Sequence, residues 1–254
     1  YGGMVLNKRS AVQMAADTIP LGLGSSYVDE GLLSYLVRRN ELGDTTNTNV
    51  NINQGAVVSG YMYNGSLSGA YAYGAGYGNT ATVSGSTYIG LHGGQVVKDI
   101  YAGGTKGAVE DRFRLESFVA TANAFVKGGR VRNVYGGGWQ GSIGHHEGTI
   151  SDATTNDIAG VTNVVIGIRQ DQPSLPDDYG YLNGVPVIER NAYAGGEGGA
   201  VFGTANLTIN NGYVGYVYEN GEYQPKLDDE TWAVESERAG RLRDYGNVFG
   251  GGNK

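Results

Sequence analysis

Hydrophobic and polar residues alternate along most of this chain in short runs, and the runs end at small residues, chiefly glycine. The segment from Thr121 to Gly138 shows the pattern most clearly and reads TANAFVKGGRVRNVYGGG. Alternation with a period of two is typical of β-strands, because successive side chains point to opposite faces of a sheet. The pattern therefore predicts short strands with one buried face, separated by sharp corners at glycine.

The same phrase recurs along the chain. It consists of an alternating run, one or two glycines, a second run that ends in an aromatic residue, and a glycine-rich triplet. Further copies, some of them interrupted, lie between Ser86 and Gly104, between Val161 and Gly196, and between Thr204 and Gly252, with a looser copy from Thr48 and a tail of another at Tyr1-Gly2-Gly3. Internal repetition indicates a structure that stacks equivalent units.

A third short element follows the triplets, at Val109, Ile143 and Val201, so each repeat is expected to hold three strands with glycine corners. Glycine suits such corners because it adopts positive φ and lets neighbouring backbones approach closely. The chain is predicted to be all-β, as a parallel β-helix (a solenoid) of five to six repeats. A β-propeller, whose blades repeat at a similar length, is the alternative.

Residues 1–254 are expected to form one repetitive segment of a longer protein, because the chain begins and ends at the same phase of the repeat. The aromatic residue before each triplet is predicted to stack on its equivalents in neighbouring repeats. The predicted corner and stack residues are Tyr101, Gly103, Gly104, Tyr135, Gly136, Gly137, Gly138, Tyr193, Gly195, Gly196, Phe249, Gly250, Gly251 and Gly252.

Three insertions interrupt the repeat. Apolar residues at helical spacing predict a helix over 25–42, and acidic residues at the front with arginine at the rear predict another over 227–242. The third insertion, Asp171 to Gly184, contains Pro173 and Pro176 and is expected to be a loop. Insertions in repeat proteins map to one side of the stack, where they often bind partners.

Composition narrows the classes of function. The chain has 45 glycines among 254 residues, no cysteine and a formal net charge of -7. Collagen is excluded because the three-residue period is missing. The acidic balance argues against nucleic acid as a partner. No apolar run of about 18 residues occurs, so no membrane span is expected in this segment.

Metal and cofactor chemistry finds little support. His145, His146 and Glu147 lie in GHHEG, but adjacent side chains in a strand point to opposite faces, so an exposed loop is expected there. Asp171, Asp177 and Asp178 could supply oxygen ligands to a structural calcium ion, as could Asp228, Asp229 and Glu230, although neither group follows a known calcium loop. No cofactor is expected, with structural calcium as the alternative.

Tyrosine is abundant, with 19 residues, and exposed rings can stack on sugars or anchor a protein partner. The candidate binding residues are Tyr61, Tyr63, Tyr73, Tyr77, Tyr216, Tyr218 and Tyr223. The alternative is that tyrosine simply fills strands. The charged residues Lys98, Asp99, Arg130, Arg132, Glu189 and Arg190 occupy similar phases of successive repeats, which indicates a polar row rather than catalytic carboxylates.

The phrase VYGGG, which is spaced by TxVxI runs and glycine pairs, resembles the glycine-rich repeats of very large adhesin-like surface proteins of Gram-negative gut bacteria. The resemblance implies an exported protein on the outer cell surface with an extended β-helical stalk. We therefore expect a non-enzymatic structural or adhesive module, whose partners are neighbouring repeats, other copies of the chain, a glycan or a surface protein. The alternatives are a polysaccharide lyase or glycoside hydrolase on a β-helix, and a subunit of a multi-protein surface complex.

Overall fold

The computed structural model describes residues 47–63, 66–110, 119–146, 157–168, 185–225 and 245–253. Within these ranges every regular element is a β-strand, so the prediction of an all-β chain is confirmed there. No helix in the described ranges is long and apolar enough to cross a membrane. The predicted helices, 25–42 and 227–242, and the loop from Asp171 to Gly184 lie outside the described residues.

The strands are short, apart from two that run for 16 residues each. Their bounds are β1 (Thr48–Ile52), β2 (Val57–Val58), β3 (Tyr61–Tyr63), β4 (Ser66–Ser68), β5 (Ala72–Tyr73), β6 (Ser86–Tyr101), β7 (Ala120–Tyr135), β8 (Gly160–Ile166), β9 (Val187–Ile188), β10 (Ala192–Tyr193), β11 (Gly203–Ile209), β12 (Tyr213–Val214), β13 (Tyr216–Glu219), β14 (Glu222–Pro225) and β15 (Val248–Phe249).

Eleven of these strands form one sheet in which all pairing is parallel. We number the repeats by their strands: repeat 1 holds β1, β2 and β5; repeat 2 is β6; repeat 3 is β7; repeat 4 holds β8, β9 and β10; repeat 5 holds β11, β12 and β15. Each repeat pairs with the next at three places, which we call the first, second and third ladders in chain order.

The first ladder joins β1, β6, β7, β8 and β11, and residues at the same place in the phrase lie opposite each other. The second ladder joins β2, β6, β7, β9 and β12. The third joins β5, β6, β7, β10 and β15. A fourth line of contact is made by parallel bridges between Val83, Val109, Ile143 and Val201. Val109, Ile143 and Val201 are the residues of the third short element that the sequence predicts after the glycine triplets.

One face of the runs in β6, β7 and β8 is buried, as the alternation predicts, whereas no residue of β11 in repeat 5 is buried. In β8 buried and half-buried residues alternate without a break, and the buried set includes Val164 and Ile166. A single hydrophobic cluster joins residues from all three ladders and the fourth line, including Ile89, Val96 and Val109. The ladders therefore share one core, and burial of this apolar surface is the main stabilising contribution.

In repeats 2 and 3 the first glycine pair bends the strand without ending it, whereas repeats 1, 4 and 5 have the separate short strands that the sequence predicts. β6 continues from Ser86 to Tyr101 through Gly93 and Gly94, with register shifts relative to β7 on either side of the pair. Gly93 has φ of 135° and Gly129 has φ of 80°, conformations that side chains other than glycine rarely adopt. The pair therefore acts as a bulge that increases the local bend of the strand.

Positive φ is the wrong explanation for the glycine triplets, because none of their described residues has φ in the left-handed region. Close approach of the backbones explains them instead. A Cβ atom on Gly137 would lie 2.6 Å from the backbone nitrogen of Gly196, and one on Gly103 would lie 2.6 Å from that of Gly138. Each triplet lies against the triplet of the next repeat, and a side chain there would collide with it.

The β-propeller alternative requires blades of antiparallel strands. Antiparallel pairing within the described residues occurs between β13 and β14, between β3 and β4, and at the bridge between His145 and Ile158. The contacts between repeats are parallel throughout, and neither a propeller nor a closed barrel is present in the described ranges.

We expect Gly137→Ala to lower the free energy of unfolding by about 1–3 kcal/mol, because the new methyl group would overpack the contact with repeat 4. Gly251→Ala is the matched control, since Gly251 occupies the same place in repeat 5 and a Cβ there meets no atom within 4 Å. Urea unfolding of both variants measures the difference. Equal destabilisation by the two substitutions would contradict the stacking of the triplets.

Candidate functional site

The aromatic residues before the triplets form a continuous column of rings, which we call the aromatic stack. Ring centroids are 5.1 Å apart from Tyr73 to Tyr101, 4.8 Å from Tyr101 to Tyr135, 4.6 Å from Tyr135 to Tyr193 and 4.9 Å from Tyr193 to Phe249. The planes of successive rings differ by 12° at most. In-register parallel pairing in the third ladder produces this geometry, because each aromatic residue lies opposite its equivalent.

The stack is largely removed from water, which alters its acid–base properties. Tyr101, Tyr135 and Tyr193 are buried. Burial is the largest cause that raises the pKa of Tyr101 above its ordinary value, and the hydrogen bond from its hydroxyl to the Glu197 carboxylate raises it further. Burial likewise raises the pKa of Tyr73, Tyr135 and Tyr193. These phenols therefore remain neutral donors at physiological pH.

A second column lies two residues before the aromatic residue in repeats 2 to 5, and we call it the asparagine column. It contains Asp99, Asn133, Asn191 and Asn247. The Asn133 amide donates to Asp99 Oδ1 at 2.9 Å, the backbone N–H of Asn191 donates to Asn133 Oδ1 at 3.0 Å, and the backbone N–H of Asn247 donates to Asn191 Oδ1 at 2.9 Å. Each side chain thus ties its repeat to a neighbour.

Asp99 is the one charged member of the asparagine column, and Arg132 neutralises it. Arg132 Nε donates to Asp99 Oδ1 at 2.8 Å, and its Nη2 contacts Asp99 Oδ2, so the pairing is bidentate. The carboxylate side chain is only 3% exposed. The hydrogen bonds with Asp99 are the largest cause that raises the pKa of Arg132. A buried carboxylate is tolerated when its oxygens are satisfied in this way.

The residue after each glycine triplet belongs to a third column, which we call the post-glycine column. Backbone hydrogen bonds set its alignment: Thr105 N–H to Gly76 O, Trp139 N–H to Gly104 O, Glu197 N–H to Gly138 O and Asn253 N–H to Gly196 O, at 3.0 to 3.1 Å. Tyr77 occupies the same place in repeat 1. Every residue in this column is of a different type, whereas the aromatic stack repeats one type four times.

The three columns enclose a cleft of about 340 Å³, which we call the stack cleft. It is lined by Tyr71, Tyr73, Asp99, Tyr101, Arg132, Asn133, Tyr135, Trp139, Arg190, Glu197 and Asn253. Two carboxylates and two guanidinium groups face it, so its charges balance. Glu197 contacts the Tyr101 hydroxyl, and the Arg190 guanidinium lies 4.6 Å from the centre of the Tyr245 ring.

A second cleft of about 380 Å³ follows the outer side of the first ladder and includes Asn49, Tyr88 and Asn123. Side-chain amides extend from this cleft as a short series of hydrogen bonds. Asn163 donates to Asn123 at 2.9 Å, and Asn206 donates to Asn163 at 3.1 Å. The amides bond to each other across repeats. This arrangement stabilises the ladder and gathers no charged group.

The candidate binding tyrosines lie on several different elements. Tyr73 belongs to the aromatic stack, and Tyr77 is 81% exposed in the post-glycine column. Tyr61 and Tyr63 lie on β3 of a separate hairpin, and Tyr216, Tyr218 and Tyr223 lie on the β13–β14 hairpin. On the latter, the rings of Tyr216 and Tyr223 both contact Tyr213, with centroids 5.0 and 4.3 Å away.

The two adjacent histidines, His145 and His146, each lie beside an acid. His145 Nδ1 lies 3.4 Å from the Glu110 carboxylate, and His146 Nδ1 lies 3.0 Å from that of Asp157. Among the described residues no group of three or more His, Cys, Asp or Glu side chains could hold a metal ion. Asp171, Asp177 and Asp178 lie outside those residues, as do Glu147 and the Asp228 to Glu230 group.

The sequence interpretation missed Trp139 and Glu197 as members of a site. It had treated Asp99, Arg132 and Arg190 as an outward polar row, and the structure places all three on the stack cleft. The useful signal was the place directly after the triplet, where the residue type changes in every repeat.

Comparison with protein-family models, curated proteins and solved structures gives no match to this chain.

The raised pKa of the stacked tyrosines predicts alkaline sensitivity. Above about pH 10 the unfolded chain ionises its tyrosines while the folded stack keeps its protons, so stability should be constant below that pH and fall above it. Urea midpoints measured between about pH 8 and about pH 11 test this. Tyr135→Phe should make the decline less steep, and an unchanged slope in that variant would count against the stack as its source.

Asp99→Asn should lower the free energy of unfolding by about 1–3 kcal/mol. Asparagine continues the column sterically, but the Arg132 guanidinium loses its anionic partner. A double-mutant cycle with Arg132→Gln, followed by urea unfolding, isolates the coupling between the two side chains. Strictly additive effects would show that the pair is not coupled.

Proposed function

We propose that this chain is a segment of an exported bacterial surface protein, in which a parallel β-helix forms a rigid scaffold with an adhesive role. The observation that carries the proposal is the in-register pairing of five repeats through three ladders. The resemblance of the VYGGG phrase to adhesin-like surface proteins supports the extracellular location. The repeat itself supplies rigidity, because every repeat is hydrogen-bonded to its neighbour at several places.

The order of the ladders supports a coiled path for the chain. In every repeat the chain passes through the first, second and third ladders in turn and then returns to the first, beside its previous passage. Side chains also link the first and third ladders within a repeat. The hydroxyl of Thr87 donates to Ala102 O at 2.6 Å, and that of Thr162 donates to Ala194 O at 2.6 Å. A common interior between the ladders is what a β-helix requires.

Repeat 5 supports the expectation that neighbouring repeats or other copies of the chain are partners. In the described part of the chain β11, β12 and β15 each pair on one side only. Ile209 is 42% exposed and Val248 is 47% exposed at this end. An open strand edge with apolar side chains favours addition of another strand. A further repeat of a longer protein, or a surface-complex subunit, would cover it in the same register.

A glycan-cleaving enzyme is the competing function, since the stack cleft holds two carboxylates. Catalysis by such a pair needs a free acid and a free base or nucleophile. Asp99 accepts from Arg132 and Asn133, and Glu197 accepts from the Tyr101 hydroxyl. These interactions favour a structural and binding role for both carboxylates over proton transfer.

Antibodies raised against the chain should label intact cells of the producing organism, because the proposal places the protein on the outer surface. Cells that lack the gene should lose that label and should adhere less to a polysaccharide-coated or host-protein-coated surface. Permeabilised cells provide the control for total antigen. Labelling that appears only after permeabilisation would overturn the surface location, and unchanged adhesion would overturn the adhesive role.

A further inference from the structure

We propose that the stack cleft binds a neutral saccharide, with the Trp139 indole as its platform and Glu197 and Asn253 as polar partners. This inference rests on the adhesive function proposed above and names the class of ligand and the site. Most of its lining comes from repeats 2 to 4, with Tyr71 and Tyr73 from repeat 1 and Asn253 from repeat 5.

Trp139 provides the apolar contact that a sugar ring needs. Its side chain is 37% exposed at the edge of the cleft, whereas the tyrosines of repeats 2 to 4 behind it are buried. Pyranose rings present C–H groups on their faces, and an exposed indole packs against such a face while its N–H can still donate a hydrogen bond. The cleft thus has an aromatic wall that faces outward.

The polar groups are of the kind that recognise hydroxyls. Glu197 follows the triplet of repeat 4 and lies next to Trp139 in the post-glycine column, and Asn253 follows the triplet of repeat 5 and lies next to Glu197. A carboxylate accepts hydrogen bonds, and an amide both donates and accepts, which matches the dual character of sugar hydroxyls. Glu197 is half-buried and Asn253 is exposed, so both are within reach of a ligand in the cleft.

The charge balance favours a neutral sugar over an acidic one. Asp99 and Arg132 satisfy each other, and the remaining pair on the lining, Glu197 and Arg190, carries opposite charges. A uronic acid or a phosphate group would meet Glu197 without a surplus of positive charge. The volume of about 340 Å³ lies near the lower end of ordinary ligand sites, which fits one or two sugar rings.

Variation in residue type between the repeats also points to the side of the cleft that contains Trp139. A side chain that only fills the repeat should recur at its place, as tyrosine does in the stack and asparagine does in its column. The post-glycine column instead holds Tyr77, Thr105, Trp139, Glu197 and Asn253. It also borders the cleft at three of these places. Packing of the repeat does not explain a column whose residue type changes in every copy, and this favours a binding role for it.

The test uses fluorescence of Trp139 as a reporter. The chain has two tryptophans, so Trp232→Phe leaves Trp139 as the only indole. This variant is titrated with cellobiose, maltose and lactose as neutral probes and with digalacturonate as the acidic probe. We expect at least one neutral disaccharide to change the fluorescence in a saturable way, and digalacturonate to bind at least about tenfold more weakly.

Calorimetry on variants then locates the site. Trp139→Ala should weaken binding of the same neutral sugar by about tenfold or more, and Trp139→Phe by less. Phe202→Ala is the matched control, because Phe202 is also 37% exposed but does not line the cleft. Circular dichroism confirms that each variant is folded.

Three results would overturn the proposal: no binding of any neutral probe, a preference for digalacturonate, or equal affinity in wild type and Trp139→Ala. None of them bears on the surface location, which the labelling of intact cells tests separately. Recovery of the sugar intact supports a binding site. The alternative outcome is recovery of shortened sugar products, with sugar binding still dependent on Trp139. That result would support the cleft as the saccharide site but would overturn the non-enzymatic function.

Discussion

Parallel, in-register hydrogen bonding between equivalent strands is the constraint on which the other features of this protein depend. When two repeats pair so that Tyr101 lies opposite Tyr135 and Ile100 opposite Val134, every column of side chains must be compatible with stacking on itself. Aromatic rings and amides satisfy that requirement, because rings gain from offset contact and amides both donate and accept. The aromatic stack and the asparagine column are direct results of this register.

The same constraint explains how charge is placed. Like charges in one buried column would repel each other at a spacing of about 4.8 Å. The asparagine column contains a single carboxylate, Asp99, and the neutralising Arg132 comes from the adjacent repeat. Glycine at the triplets follows from the register as well, since the backbone of one repeat occupies the space that a side chain of the next would need.

The repeat made much of the architecture predictable from sequence. The phrase returns with a constant place for Tyr101, Tyr135 and Tyr193, and the stacked rings occur at those residues. The glycine pairs were harder to interpret, because a bulge at Gly93 and a strand end share the same residue type. The stack cleft was not predicted. Its wall combines Trp139 and Glu197, which come from different repeats, and alternation within a strand contains no information on which residues of different repeats become neighbours.

The directions of the hydrogen bonds in the ladders determine how the scaffold would respond to mechanical force. If the repeats coil as proposed, the hydrogen bonds between them lie along the stacking direction. Under tension along that axis the interfaces between repeats would therefore separate one after another. A repeat that detaches would release roughly 30–60 residues, or about 100–200 Å of extended chain. Shear along the strands would instead oppose all the bonds of an interface together. An adhesive stalk of this design would yield in steps under axial load and absorb work at each one, and the stack cleft, whose lining comes from all five repeats, would lose part of its wall when any of them separated.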